Sequence, residues 1–129
     1  MDPNIWGPKG WFFIHNVALV YPRNPTISDR ENYKTFFKTL GNVLPCPICQ
    51  VHYKTNLVEE ELNNALNSNI DLFRWSVDMH NKVNSINEKK IISYEEALNS
   101  LNMQYQNNTN YSFWIIIICG IIILLFLKN

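Results

Sequence analysis

Apolar residues along the first hundred positions of this chain recur at helical spacing, and the last stretch is apolar on every side. Trp11, Ile14, His15, Ala18 and Leu19 fall on one face of a predicted helix that ends at Tyr21-Pro22. Pro3 to Pro8 reads as a lead-in turn, with Pro8 suited to a first helical turn. Ser28, with Glu31 three residues on, predicts a capping box for a second helix with the stripe Tyr33, Phe36, Phe37, Leu40 and Leu44. Pro45 interrupts it. Cys46 then opens a third helix, with Pro47 in its first turn, running toward Val58. The polar stretch 59–69 reads as a short helix or an ordered loop with Leu62 and Leu66 on one face. A further helix is predicted over about 70–84, with Phe73, Val77, His80 and Asn84 along one side. Ser93-x-x-Glu96 caps a short last one carrying Ala97, Leu98 and Leu101. Alternating β-branched runs between turn dipeptides are missing, so the fold class is all-α, a small helical bundle.

The end of the chain changes character. An uncharged Asn/Gln-rich stretch, 104–110, reads as a polar linker. Residues 111–128 then form an apolar run with Tyr111 and Trp114 at one end and Lys128 at the other. A run with no polar face to show water predicts a single-pass C-terminal transmembrane anchor, with aromatic residues at one interface and a snorkelling lysine at the other. Insertion after synthesis favours a domain facing the cytosol. Residues 1–103 are then one soluble domain.

Charge and composition narrow the class. Eleven basic and eleven acidic residues give a net charge of zero, so nothing steers the chain toward nucleic acid. Three cysteines are too few for a secreted disulfide scaffold, and residues 1–8 have no signal-peptide pattern. Aromatic residues make up 13% of the chain, enough to fill a small core and also wall a flat pocket.

The candidate chemistry starts at Cys46-Pro-Ile-Cys49. A thiol at a helix N-terminus sits among unpaired N–H groups at the positive end of the dipole, and both favour thiolate. Two cysteines three apart can close a small redox disulfide. They can also hold half of a zinc site, with His52 and His80 as further ligands. From the pair alone, redox and metal readings weigh about equally, and a structural clip is a third reading.

Flanking motifs break the tie. Trp6-Gly7-Pro8-x-x-Trp11-x-x-x-His15 upstream, and Trp75 with His80-Asn81-x-Val83-Asn84 downstream, resemble the Erv/ALR family of FAD-linked sulfhydryl oxidases. Ala18, Tyr21-Pro22, Pro45, His52 and Lys89 also agree, and the compact form looks like the enzymes of large cytoplasmic DNA viruses. The resemblance implies a four-helix bundle plus a short fifth helix, with FAD at the mouth of the bundle and no metal. It implies that His15, Trp75, His80, Asn81, Asn84 and Lys89 contact the cofactor. Trp6, Gly7, Trp11, Tyr21 and His52 belong to the same candidate set, His52 in a supporting place.

The implied reaction is dithiol plus O2 to disulfide plus H2O2. A substrate dithiolate attacks Cys46, the outer sulfur, and Cys49, the inner sulfur, passes two electrons to the flavin. Cellular members usually carry a relay cysteine pair on a flexible arm. This sequence has no such arm, and Cys119 is alone in the apolar run. The resemblance therefore implies that the domain meets a protein dithiol directly or through a thioredoxin-like thiol carrier, and that it pairs as a homodimer.

Overall fold

In a computed structural model, residues 1–106 are described. They divide into a compact unit, Met1–Tyr94, and the start of a second unit from Glu95. The first unit holds five helices: α1 (Pro3–Leu19), α2 (Ile27–Val43), α3 (Pro47–Asn56), α4 (Glu59–Ala65) and α5 (Asn69–Ile86). A sixth, α6, begins at 94 and continues to 106. All described regular structure is helical, as the spacing predicts. Among the described residues the helix count is six rather than five, because Glu59–Ala65 forms α4. Gln104 to Gln106, expected in the linker, are also helical. The predicted membrane span lies outside the described residues, and among these no helix is long and apolar enough to cross a bilayer.

Two helix starts differ from expectation, for local reasons. The lead-in turn at Pro3–Pro8 is already helix: the Asp2 carboxylate caps it by accepting from the Asn4 N–H at 2.8 Å, and Pro3 takes the first position. Pro8 consequently lies inside α1. The capping box of α2 sits at Thr26 rather than Ser28. Thr26 accepts from the Asp29 N–H at 3.2 Å, and the Asp29 carboxylate returns to the Thr26 N–H at 2.8 Å. The Thr26 hydroxyl, donating to the Asp29 carboxylate at 2.6 Å, and then the Thr26 N–H lower the pKa of the Asp29 carboxyl. Two hydroxyl–acid pairs compete in this sequence, and the pair following Pro25 wins.

α5 is the central element, packing against α1, α3 and α4, while α2 packs against α3. Its buried side chains include Leu72, Phe73, Trp75, Val77 and Met79. The short α4 carries three glutamates in its first turn, where the helix dipole favours negative charge. Glu59 pairs with Lys34 and Lys38 of α2, and Glu61 with Lys82 of α5.

The C-terminus of α5 ends in a six-to-one turn. The Lys89 N–H donates to the Asn84 carbonyl at 2.8 Å and the Glu88 N–H to the Ser85 carbonyl at 3.3 Å. The residue between, Glu88, has φ 52°, where glycine is usual. This turn sets Lys89 beside the end of α5.

Candidate functional site

α3 begins where the redox pair sits. Cys46 is its N-cap, and its Sγ accepts from the Cys49 N–H at 3.3 Å. The two cysteines are joined in a disulfide with their Cα atoms 5.1 Å apart. A cavity of about 590 Å³ lies between α1, α3 and α5, and Cys49 lines it. Cys46 does not line it and is 5% exposed. The pair is therefore asymmetric, with one sulfur on the cavity wall and the other behind it.

The α1 wall is aromatic. Trp6, Gly7 and Trp11 line the cavity. A Cβ at Gly10 would stand 3.1 Å from the Trp6 ring, so the missing side chain lets that ring lie along the helix. At Gly7 a Cβ would meet nothing within 4 Å, so the backbone there is open to close approach. The Trp6 indole N–H is buried without an acceptor, an arrangement that costs about 1–3 kcal/mol unless a ligand supplies one.

The α5 wall is built on His80, Val83, Asn84 and Asn87, spaced at helical intervals. The His80 ring stacks on Trp11 with centroids 4.2 Å apart and planes 10° apart. Behind this stack, His15 Nε2 lies 3.1 Å from His80 Nδ1, and His15 Nδ1 lies 2.8 Å from Ser76 Oγ. Burial, then the neighbouring His80, pushes His15 down to about 3. Burial, then Lys89, pushes His80 down to about 4. Both rings are neutral at physiological pH.

Of the residues expected at the site, Cys49, Trp6, Gly7, Trp11, His52, His80, Asn84 and Lys89 line the cavity. Besides Cys46, four others do not, each for a visible reason. His15 is buried one layer back, behind His80. Trp75 is a core aromatic, edge-on to Phe37 at 4.9 Å. Tyr21 donates to the Leu66 carbonyl at 3.0 Å, fixing the loop after α1. Asn81 exchanges two hydrogen bonds with the Ile92 backbone, clamping the segment after α5. Asn84 does both jobs: it lines the cavity and donates to the Lys90 carbonyl at 3.2 Å.

Sequence reasoning missed Asn4, Gly10, Ile14, Leu44, Ile48, Tyr53 and Asn87 as cavity residues, while Val83 of the quoted motif lines it as well. Continuing the His80–Asn84 spacing by one turn finds Asn87, and stepping four residues from Trp6 finds Gly10. Tyr53 carries no such signal. It donates to the Phe37 carbonyl at 3.0 Å, and burial pushes its phenol up. The zinc reading finds no support in this geometry. The two sulfurs are bonded to each other, and among the described residues no group of three His, Cys, Asp or Glu is placed to hold a metal ion.

Known proteins resemble this chain in sequence and in fold. The sequence profile of the Erv1 / Alr family matches residues 8–110. A protein of Acanthamoeba polyphaga mimivirus named probable FAD-linked sulfhydryl oxidase is 42% identical over 102 residues, covering 78% of this chain and 71% of its own. The FAD-linked sulfhydryl oxidase of an African swine fever virus isolate is 30% identical over 106 residues, covering 82% of this chain and 87% of its own. The crystal structure of the yeast Erv1 core superposes with a TM-score of 0.68 at 27% identity, covering 75% of this chain and 80% of that one. That structure and the described residues of this chain share an all-helical fold. The chain belongs to the Erv1 / Alr family.

Proposed function

We propose that this protein is an FAD-linked sulfhydryl oxidase that forms disulfides in protein substrates, converting dithiol and O2 to disulfide and H2O2. The observation that carries this reading is the Cys46–Cys49 disulfide at the head of α3, with Cys49 opening onto an aromatic-walled cavity. Relatives named FAD-linked sulfhydryl oxidase, and a solved FAD-binding domain of Erv1 with TM-score 0.65, support FAD as the occupant.

The residues suit such a group. Trp6, Trp11 and His80 supply flat faces, Asn84 and Asn87 amide edges, and Lys89 a cation for a pyrophosphate. The chemistry a bound FAD would supply is two-electron transfer from the dithiol to oxygen. The protein's own steps are thiol exchange. A substrate thiolate attacks Cys46 Sγ, the Cys46–Cys49 bond breaks, and Cys49 leaves as thiolate on the cavity side. The second substrate thiolate attacks its own partner sulfur and displaces Cys46, leaving substrate oxidised and the pair reduced by two electrons. The N-terminal end of α3 stabilises the thiolates so formed. Because Cys46 is 5% exposed, attack on its sulfur requires part of its cover to be displaced.

His15, Trp75, Asn81 and Tyr21 belong to this reading as supports of the cavity wall rather than as its surface. The substrate is a protein dithiol, met directly or through a thioredoxin-like carrier. A homodimer formed through α1 belongs to the same reading, and the 54% exposure of Phe13 on that helix supports it. The apolar run 111–128 is read as a membrane tether holding the domain on the cytosolic side. Fractionation with protease protection tests the tether: a domain sheltered in a lumen contradicts it. The function itself is tested on the purified full chain. Yellow protein with stoichiometric flavin, releasing H2O2 when given a dithiol, is the expected result. Colourless protein with bound zinc overturns it.

A further inference from the structure

Ser76 has no place in the motif pattern that marks the cofactor site, yet it is fully buried on α5, one turn before His80. Its hydroxyl has one hydrogen to give and two lone pairs to offer. The Phe73 carbonyl lies 2.7 Å from Ser76 Oγ and can only accept, so the hydroxyl hydrogen is spent there. His15 Nδ1, 2.8 Å from the same oxygen, must therefore bring its own hydrogen.

A neutral imidazole protonated on Nδ1 has a lone pair on Nε2. That lone pair meets His80 Nδ1 at 3.1 Å, so the His80 nitrogen carries the hydrogen between them. The direction of every bond is now fixed: His80 donates to His15, His15 to Ser76, and Ser76 to the Phe73 carbonyl. What remains is His80 Nε2, an acceptor. It sits on a ring that lines the cavity and is pinned flat against Trp11, and no hydrogen bond to it is found among the described residues.

We propose that Ser76 is a positioning residue that acts through His15 to hold His80 as the Nδ1–H tautomer, so that the cavity meets its ligand at this point with a hydrogen-bond acceptor. The class of ligand edge selected is an N–H or O–H donor; a carbonyl or phosphate oxygen at the same place would face a lone pair. This deepens the flavin reading above and rests on it for the identity of the ligand. The neutrality on which the chain of bonds depends is consistent with burial of both rings, which holds them well below the ordinary histidine range. Lys89 adds to this at His80.

The chain contains only three histidines, so their ring nitrogens are separable by two-bond proton–nitrogen correlation on the labelled, full-length, flavin-loaded protein. The expected spectrum shows His15 and His80 both protonated on Nδ1. Ser76→Ala removes the acceptor for His15; His80 then shifts toward the Nε2–H form, and FAD binds about tenfold more weakly. Ser76→Thr, which keeps the hydroxyl, restores the wild-type ring pattern. His80 found protonated on Nε2 in the wild type overturns the proposal, and that spectrum decides the matter even if Ser76→Ala does not fold. An unchanged His80 tautomer in a folded Ser76→Ala also overturns it. Protein that carries no flavin breaks the oxidase reading instead, since the ring nitrogens report in either case.

Discussion

Two helix seams meet at the cavity, and they treat their polar groups differently. In the α2–α3 seam every named bond closes on the protein. Tyr53 donates to the Phe37 carbonyl, and Gln50 Nε2 donates to the Leu44 carbonyl at 2.7 Å, satisfying the end of α2. Gly41 has no Cβ to obstruct the Tyr53 ring, against which one would stand 2.8 Å away. In the α1–α5 seam the bonds run in one direction, from His80 through His15 and Ser76, and leave a lone pair facing the cavity. The first seam is a scaffold that fixes α3 and its cysteines. The second has unspent hydrogen-bonding capacity, which marks it as the ligand side.

The largest effect expected is on the sulfurs the scaffold presents. Cys49→Ser should reduce turnover to background while the protein stays yellow, and Cys46→Ser should keep FAD yet fail with protein dithiols; oxygen consumption and flavin content check both. Full activity in Cys49→Ser would mean that the cavity-side sulfur is not the one that serves the flavin.

Next comes the closed seam itself. Gly41→Ala forces a methyl against a ring that its own hydroxyl holds in place, and should cost about 1–3 kcal/mol in chemical denaturation. It should also weaken FAD binding, because α3 carries Cys49. A neutral outcome would show that the seam yields easily.

Acid tests the open seam. His15 and His80 hold folded-state pKa values near 3 and 4, below the ordinary 6.5, so below pH 6.5 the unfolded chain binds protons that the folded one refuses. Stability is full above pH 6.5 and falls as pH drops toward 4, by about 3 kcal/mol for each ring. Thermal melts of the wild type against His15→Gln from pH 7 to 4 should show a shallower slope in the variant. Equal slopes would place the acid sensitivity elsewhere.

The smallest effect runs the other way. Glu88 holds φ 52° in the turn that places Lys89, so Glu88→Gly should stabilise by about 1 kcal/mol without altering FAD affinity. A loss of stability would mean that the Glu88 side chain supplies something beyond the turn.

How much of this was legible in the chain depends on the kind of signal. Helical spacing correctly grouped Trp11 with His15 and His80 with Asn84, since a 3.6-residue period survives whatever packs against it. Cys46 and Pro47 announced the start of α3 through capping chemistry alone. The cap at Thr26 was not legible, because Ser28 offers an equivalent local pattern and only the observed bonds choose between them. Asn81 clamps the Ile92 backbone, a partner eleven residues away that helical spacing does not reveal. Ser76 and Gly41 gave no sequence signal. Their roles depend on His15 and Tyr53, brought to them by packing between helices.

The account turns on Cys49 being the sulfur that serves the cavity. Anaerobic mixing of the flavin-loaded full chain with excess dithiothreitol, following the flavin absorbance, tests this most directly. The wild type should bleach within its turnover time, and Cys49→Ser should stay yellow. Bleaching of Cys49→Ser at the wild-type rate would contradict the account.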